Sequence, residues 1–196
     1  QCAETLKNTD IKASNKKKKF TILILGGSQG AHSINMALLE ALEYIENREN
    51  IALVHQTGVQ DEEQVKQRYD EYGVENDTRA FFKDMAHKYQ NADLIICRAG
   101  ATTVAEIKAM GKGVIFIPFP FAADNHQVLN ARSMEKAGGA EMILEKDLSG
   151  KVLAERIEYY IQRPEELQQM ARRSRDLGRV DAAEIIVNDC YDLIFN

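Results

Sequence analysis

Apolar residues along this chain follow two alternating patterns. Short unbroken runs, such as "TILIL" at 21–25, "LIIC" at 94–97 and "VIFI" at 114–117, are separated by longer stretches in which apolar positions return every three or four residues. The runs predict strands at Phe20–Leu25, Ile51–His55, Thr78–Phe82, Leu94–Cys97, Val114–Ile117 and Ala140–Leu144. The longer stretches predict helices at Ala31–Tyr44, Asp61–Tyr72, Met85–Gln90, Thr103–Met110, Asn125–Lys136, Leu148–Gln162, Glu165–Leu177 and Ala182–Leu193. Pro164 stands at a helix start, where its missing N–H costs nothing. Strands with no polar alternation are covered on both faces, as in a parallel sheet. Strands alternating with helices of about a dozen residues read as βαβ units. The predicted fold class is therefore α/β, a doubly wound, Rossmann-like parallel sheet of about six strands, which binds ligands outside the strands' carboxyl ends.

Composition narrows this further. The chain has 196 residues, 44% hydrophobic and 28% charged, as expected of a soluble globular protein large enough to bury a full core. A net charge of −5 argues against nucleic acid as a partner, since such binders carry a basic face. Cys2, Cys97 and Cys190 show neither zinc spacing nor a CxxC, and read as reduced thiols of a cytoplasmic protein. No apolar run approaches the ~20 residues of a membrane helix, and no signal peptide is visible. Residues 1–19 are polar and end in four lysines, so they read as a linker or lead-in to a domain over 20–196. The lysines are either a solvated linker end or a contact for an anionic membrane surface.

Candidate chemistry gathers in four loops, all after predicted strands. In the first, Gly26-Gly27-Ser28-Gln29-Gly30, the glycines let a ligand approach the backbone, and the following helix offers bare N–H groups to an anion. The spacing is GGxxG, which is neither the dinucleotide fingerprint nor a P-loop, so the loop is either an unspecified anion cradle or a plain tight turn. In the second, "CRAGATTVAEI", Thr103-x-x-Glu106 has the form of a capping box, which would explain both residues structurally. The rival reading has Glu106 accepting two hydrogen bonds from a vicinal diol such as a ribose. In the third, "PFPFAADNHQVLNA", Asn125-His126-Gln127 at a helix start could read sugar hydroxyls, while Asp124 or Asn125 could equally be an N-cap. In the fourth, Phe81, Phe82 and Met85 form either one wall of a flat slot for a base or ordinary core. Paired carboxylates, a Ser/His/Asp order and a metal-ligand cluster are all lacking, so the sequence offers no catalytic residue, metal or cofactor.

Taken in order, "GGSQGAHSIN", "FFKDMAHKYQNADLIICRAGATTVAEI" and "PFPFAADNHQVLNA" resemble the C-terminal half of the MurG family, from about Phe20 to the end of the chain. These are the bacterial enzymes that move GlcNAc from UDP-GlcNAc onto undecaprenyl-pyrophosphoryl-MurNAc-pentapeptide in peptidoglycan synthesis. The resemblance implies one half of a GT-B glycosyltransferase, with two Rossmann-like domains and the active site between them. It implies that Ser28, within Gly26, Gly27 and Gly30, lies near the donor phosphates. It further implies that the backbone of Phe82 reads the uracil edge, with Phe81 and Met85 beside it, and that Ala101, Thr102 and Thr103 lie near the α-phosphate and ribose. Glu106 would hold the ribose hydroxyls, and His126 and Gln127 would face the GlcNAc. Arg98, Gly100 and Asn130 belong to the same motifs.

Two positions depart from the family: His32 stands where Arg is usual, and Gly113 where proline is usual. The residues that the resemblance assigns to an N-terminal domain are missing from these 196: a glycine-rich loop with the proposed histidine base, the acceptor site and the membrane-facing patch. With Gln1 at its start, the chain reads as a separately made C-terminal domain. It is expected to bind donor without transferring it, in a peripheral enzyme of the cytoplasmic membrane face. Alternatives are the donor-binding subunit of a split transferase and another UDP-sugar enzyme, such as a UDP-GlcNAc 2-epimerase. An NAD-dependent oxidoreductase fits poorly, because the second strand ends "LVHQTG" with no acidic residue.

Overall fold

The unbroken run in the first strand, β1 (Phe20–Leu25), has the physical cause expected of it. Every residue from Ile22 to Leu25 is buried, Ile22 and Ile24 in one core cluster and Leu23 and Leu25 in another. Side chains alternate across a strand, so β1 is covered on both faces. Around it the computed structural model, which describes residues 18–26 and 31–178, places five more strands. They are β2 (Ile51–Gln56), β3 (Glu75–Arg79), β4 (Leu94–Cys97), β5 (Gly113–Phe116) and β6 (Glu141–Met142). All neighbours are parallel, in the order β3-β2-β1-β4-β5-β6. The direction of winding reverses between β1 and β4, so a crevice opens at their carboxyl ends.

Among the described residues seven α-helices cover the sheet: α1 (His32–Tyr44), α2 (Glu62–Glu71), α3 (Met85–Asn91), α4 (Ala101–Met110), α5 (His126–Lys136), α6 (Gly150–Gln162) and α7 (Pro164–Asp176). Ile34, Leu38 and Leu42 of α1 join Val65 and Tyr69 of α2 and Leu153 and Ile157 of α6 against Ile22 and Ile24. Tyr89 of α3, Val104 and Ile107 of α4 and Met134 of α5 close the opposite face over Leu23 and Leu25. Burying each such aliphatic side chain contributes about 1.5–3 kcal/mol. Ser149 caps α6 by accepting from the N–H of Val152 at 3.2 Å, and Pro164 opens α7.

Several predicted boundaries move. The third strand lies at Glu75–Arg79, not Thr78–Phe82. It is an edge strand held by its pairing with β2, so its own apolar content is a poor guide to its place. Helix α4 starts two residues earlier than predicted, β6 shortens to two residues, and α6 begins at Gly150. The helix expected at Ala182–Leu193 and residues 1–17 of the lead-in lie outside the described residues. Gly113 packs closely under α7, where a Cβ would lie 2.3 Å from Cδ1 of Leu167 and would make that side chain shift. Gly150 likewise lets α6 sit directly on α1, donating its N–H to Glu40 Oε2 at 2.9 Å.

Candidate functional site

The crevice is built from strand ends. The N–H of Gly26 donates to the carbonyl of Gln56 at 3.0 Å, and that of Ile117 to Cys97 at 2.8 Å, tying the ends of β1, β2, β4 and β5 together. Between them lies a cavity of about 150 Å³. Phe81 and Met85 form one side of it, Thr103 and Glu106 of α4 the other, and Leu25, Gln56 and Cys97 are among its remaining lining. Burial pushes the Cys97 thiol well above its ordinary range, so it stays protonated and apolar in character.

Helix α4 supplies the polar rim. Gly100 is its N-cap, in extended conformation, and no side chain caps the helix. Thr103 is therefore the third helical residue and not the cap, and the capping box expected of Thr103 and Glu106 does not form. The Gly100 carbonyl accepts the first intrahelical bond, from Val104. The first-turn N–H groups at Ala101, Thr102 and Thr103 are thus left to an outside acceptor, with the helix's positive end behind them. Glu106 is exposed, and among the described residues its hydrogen bond is to Tyr89, whose hydroxyl donates to Oε2 at 2.8 Å.

The two phenylalanines separate. Phe81 is 59% exposed and lines the cavity, whereas Phe82 is 2% exposed, so Phe82 is no wall of a slot. Its ring lies beneath Lys88 Nζ, 4.7 Å from the centroid, and its N–H donates to Gln56 Oε1 at 3.0 Å. A ligand edge reading that amide has to share it with Gln56 or displace the amide side chain. Gln56 is one of the residues that sequence reasoning missed.

Arg98, at the end of β4, braces the loop after β5. It donates to the carbonyls of Ile117 and Pro118 at 3.0 and 3.2 Å and to Ser33 Oγ of α1 at 3.0 Å. It also pairs with Glu145 and lies over the ring of Phe119. Asp124 and Asn125 then adopt positive φ, 50° and 53°, which Asx residues tolerate better than other non-glycine residues. Asn125 holds the cap position of α5 without a side-chain cap bond. His126 opens the helix and is exposed. Gln127 Oε1 accepts from the N–H of Phe119 at 3.0 Å, and Asn130 Nδ2 donates to the Ala99 carbonyl at 3.1 Å. The first contact ties α5 to the loop after β5, and the second docks it onto the turn before α4. Gly27, Ser28 and Gly30 of the glycine loop lie outside the described residues.

The departure at His32 has a partner. As the first residue of α1, its Nδ1 lies 3.0 Å from both oxygens of Asp61. Asp61 also accepts from Asn35 Nδ2 at 2.7 Å. Asn35 Oδ1 faces His55 Nε2 at 2.9 Å, and His55 Nδ1 faces the Tyr69 hydroxyl at 2.7 Å. A neutral imidazole satisfies every member: Tyr69 donates to Nδ1, and Nε2–H donates to Asn35. Burial lowers the His55 pKa to about 3, against a smaller opposing effect of Asp61. This chain of bonds fixes the first turns of α1 to the ends of β2 and α2. A signal was present in the sequence, because Asn35 sits in the apolar register of α1 and His55 in an otherwise apolar strand.

A larger cavity, about 380 Å³, lies at the opposite, amino end of the sheet, near Lys112, Gly113 and Leu167. Its cations are engaged: Lys18 with Asp93, Lys19 with Glu75, and Lys112 with the carbonyls of Gln90 and Ala92. Among the described residues no group of acidic, histidine or cysteine side chains could hold a metal, and no helix is long and apolar enough to cross a membrane.

Comparison with known proteins points the same way. The family described as glycosyltransferase family 28 C-terminal domain matches residues 21–186. A UDP-N-acetylglucosamine–N-acetylmuramyl-(pentapeptide) pyrophosphoryl-undecaprenol N-acetylglucosamine transferase of Anaeromyxobacter sp. (strain Fw109-5) is 46% identical over 191 residues, 97% of this chain and 50% of that protein. The transferase of the same name from Geotalea uraniireducens is 44% identical over 173 residues, 88% of this chain and 47% of that one. The crystal structure of Acinetobacter baumannii MurG superposes with a TM-score of 0.79 at 33% identity, covering 88% of this chain and 49% of that one. A UDP-GlcNAc 2-epimerase of Neisseria meningitidis, at 16% identity and TM-score 0.60 over 90% of this chain and 45% of its own, shares the fold alone. The chain spans about half the length of the curated relatives it matches.

Proposed function

This chain belongs to the glycosyltransferase family 28 C-terminal domain family, and on that premise we propose that it binds UDP-GlcNAc as the donor half of an inverting transferase. That enzyme adds GlcNAc to undecaprenyl-pyrophosphoryl-MurNAc-pentapeptide in peptidoglycan synthesis. One observation carries the reading: α4 presents an uncapped N-terminus and, further along, the Glu106 carboxylate at the mouth of an apolar cavity. Thr102 and Glu106 are four residues apart, on one helix face and about 6 Å apart along its axis. That is the span of one sugar ring between a phosphate and a vicinal diol.

Each part then has a task. The helix N-terminus and the loop amides take the diphosphate, Glu106 takes the ribose hydroxyls, and the Phe81–Met85 side takes the uracil. Gln127 and His126 face the GlcNAc. In the reaction the acceptor C4 hydroxyl attacks C1 of GlcNAc from the opposite face and UDP departs. Negative charge gathers on the leaving diphosphate, where backbone donors and the helix dipole stabilise it. The base that takes the hydroxyl proton, the acceptor site and the contact with an anionic membrane surface belong to the rest of the protein. In that arrangement the whole enzyme sits peripherally on the cytoplasmic face of the membrane.

Calorimetric titration of the chain with UDP-GlcNAc, UDP-GalNAc, UDP and NAD tests this. UDP and UDP-GlcNAc are expected to saturate one site and NAD to show no heat of binding, with no GlcNAc transferred by this half alone. Saturable NAD binding, or robust transfer to acceptor by the isolated chain, would overturn the assignment.

A further inference from the structure

We propose that Tyr89 is a positioning residue for donor binding, its hydroxyl holding Glu106 in the orientation that accepts both ribose hydroxyls. The inference rests on the reading of Glu106 as the ribose carboxylate. Tyr89 lies on α3, is 4% exposed, and packs in the same core cluster as Leu25, Cys97 and Val104. Its ring is thus fixed by the body of the domain. Glu106 is exposed, and an exposed glutamate otherwise samples several rotamers, whose loss has to be met when the nucleotide binds. The 2.8 Å bond from Tyr89 to Oε2 removes much of that freedom beforehand. It does so without consuming the site. A carboxylate has about four lone-pair positions, so one donated bond leaves Oε1 and the second position of Oε2 for a diol.

Tyr89 is suited to be a permanent donor. Burial first, then the bond to Glu106, push its phenol well above the ordinary range, so it keeps its proton throughout the working pH range. Among the described residues this hydroxyl donates to Glu106, and the bond crosses from one helix to the next at the lip of the cavity. A bond that merely joined α3 to α4 would affect every ligand alike. A bond that orients Glu106 affects only ligands with ribose hydroxyls.

The test is the affinity of wild type and Tyr89→Phe for UDP and for 2′,3′-dideoxy-UDP. The ratio of the two affinities does not depend on how much of a variant is folded. Wild type is expected to prefer UDP, and Tyr89→Phe to shrink that preference roughly five- to tenfold while leaving dideoxy-UDP affinity unchanged. In a Glu106→Ala background, Tyr89→Phe is expected to change neither affinity. A preference for UDP that survives Tyr89→Phe intact, or an equal loss for both nucleotides, overturns the role of Tyr89 and leaves the ribose assignment standing. If wild type shows no preference for UDP, the ribose assignment fails and the role of Tyr89 fails with it.

Discussion

Glu106→Gln is expected to weaken UDP binding by about 1–3 kcal/mol, roughly 5- to 150-fold, without loss of fold. The amide keeps the shape of the carboxylate and still accepts from Tyr89 through its one carbonyl oxygen. It replaces the other oxygen with a donor and removes the charge, so a ribose diol that needs two acceptors meets only one. Because Glu106 takes no part in capping α4, the helix start is indifferent to the change. Calorimetry with UDP, alongside a thermal melt, reads both halves of the expectation. Unchanged UDP affinity in a folded variant would leave Glu106 as a surface residue paired with a tyrosine.

His55→Leu is expected to cost about 2–5 kcal/mol at neutral pH. It strands Asn35 Oδ1 and the Tyr69 hydroxyl, each buried, at roughly 1–3 kcal/mol apiece. The cost carries a pH signature. Burial holds the imidazole neutral, with a pKa lowered to about 3 from an unfolded value of 6.5. The unfolded chain therefore binds a proton at His55 that the native chain refuses. The stabilisation is complete above pH 6.5 and is lost as pH falls toward 3, at up to about 1.4 kcal/mol per unit. Denaturant melts between pH 7.5 and pH 5 are expected to show the gap between the two proteins narrowing by about 2 kcal/mol. A gap that stays constant would mean that His55 is not held neutral by the fold.

The residues that made the fold legible are those with a single physical cause. Ile22 to Leu25, Leu94 to Cys97 and Val114 to Ile117 are apolar without interruption because helices cover both faces of the sheet, and their strands lie within one residue of where that pattern puts them. Where a second cause competes, local pattern misleads. Glu75–Arg79 is polar and forms a strand because β2 offers it a ladder. Thr103 and Glu106 have capping-box spacing, but Gly100 turns extended and Ala101 starts the helix two residues sooner. Phe81 and Phe82 read alike in sequence, yet adjacent side chains diverge, and one is buried under Lys88 while the other lines the cavity.

The polar framework of the site was less legible because its bonds join distant segments. Asn35 and His55 could have been singled out as polar residues in apolar registers. Nothing local pairs Tyr89 with Glu106, or Gln56 with the amide of Phe82, since those contacts exist only once α3 packs on α4 and β2 ends beside the 81–82 loop. The motifs located the loops, and tertiary packing decided which groups in them remain available.

In the proposed reading the donor nucleotide lies at the carboxyl rim, across α4 and the small cavity, and not in the larger cavity at the other end of the sheet. Amide NMR shifts of the assigned chain, titrated with UDP-GlcNAc, test this most directly. Saturable shifts are expected at Phe81, Met85, Ala101 to Glu106 and Gln127, with Lys112, Gly113 and Leu167 unmoved. Shifts centred on Lys112, Gly113 and Leu167, with the α4 rim silent, would contradict it.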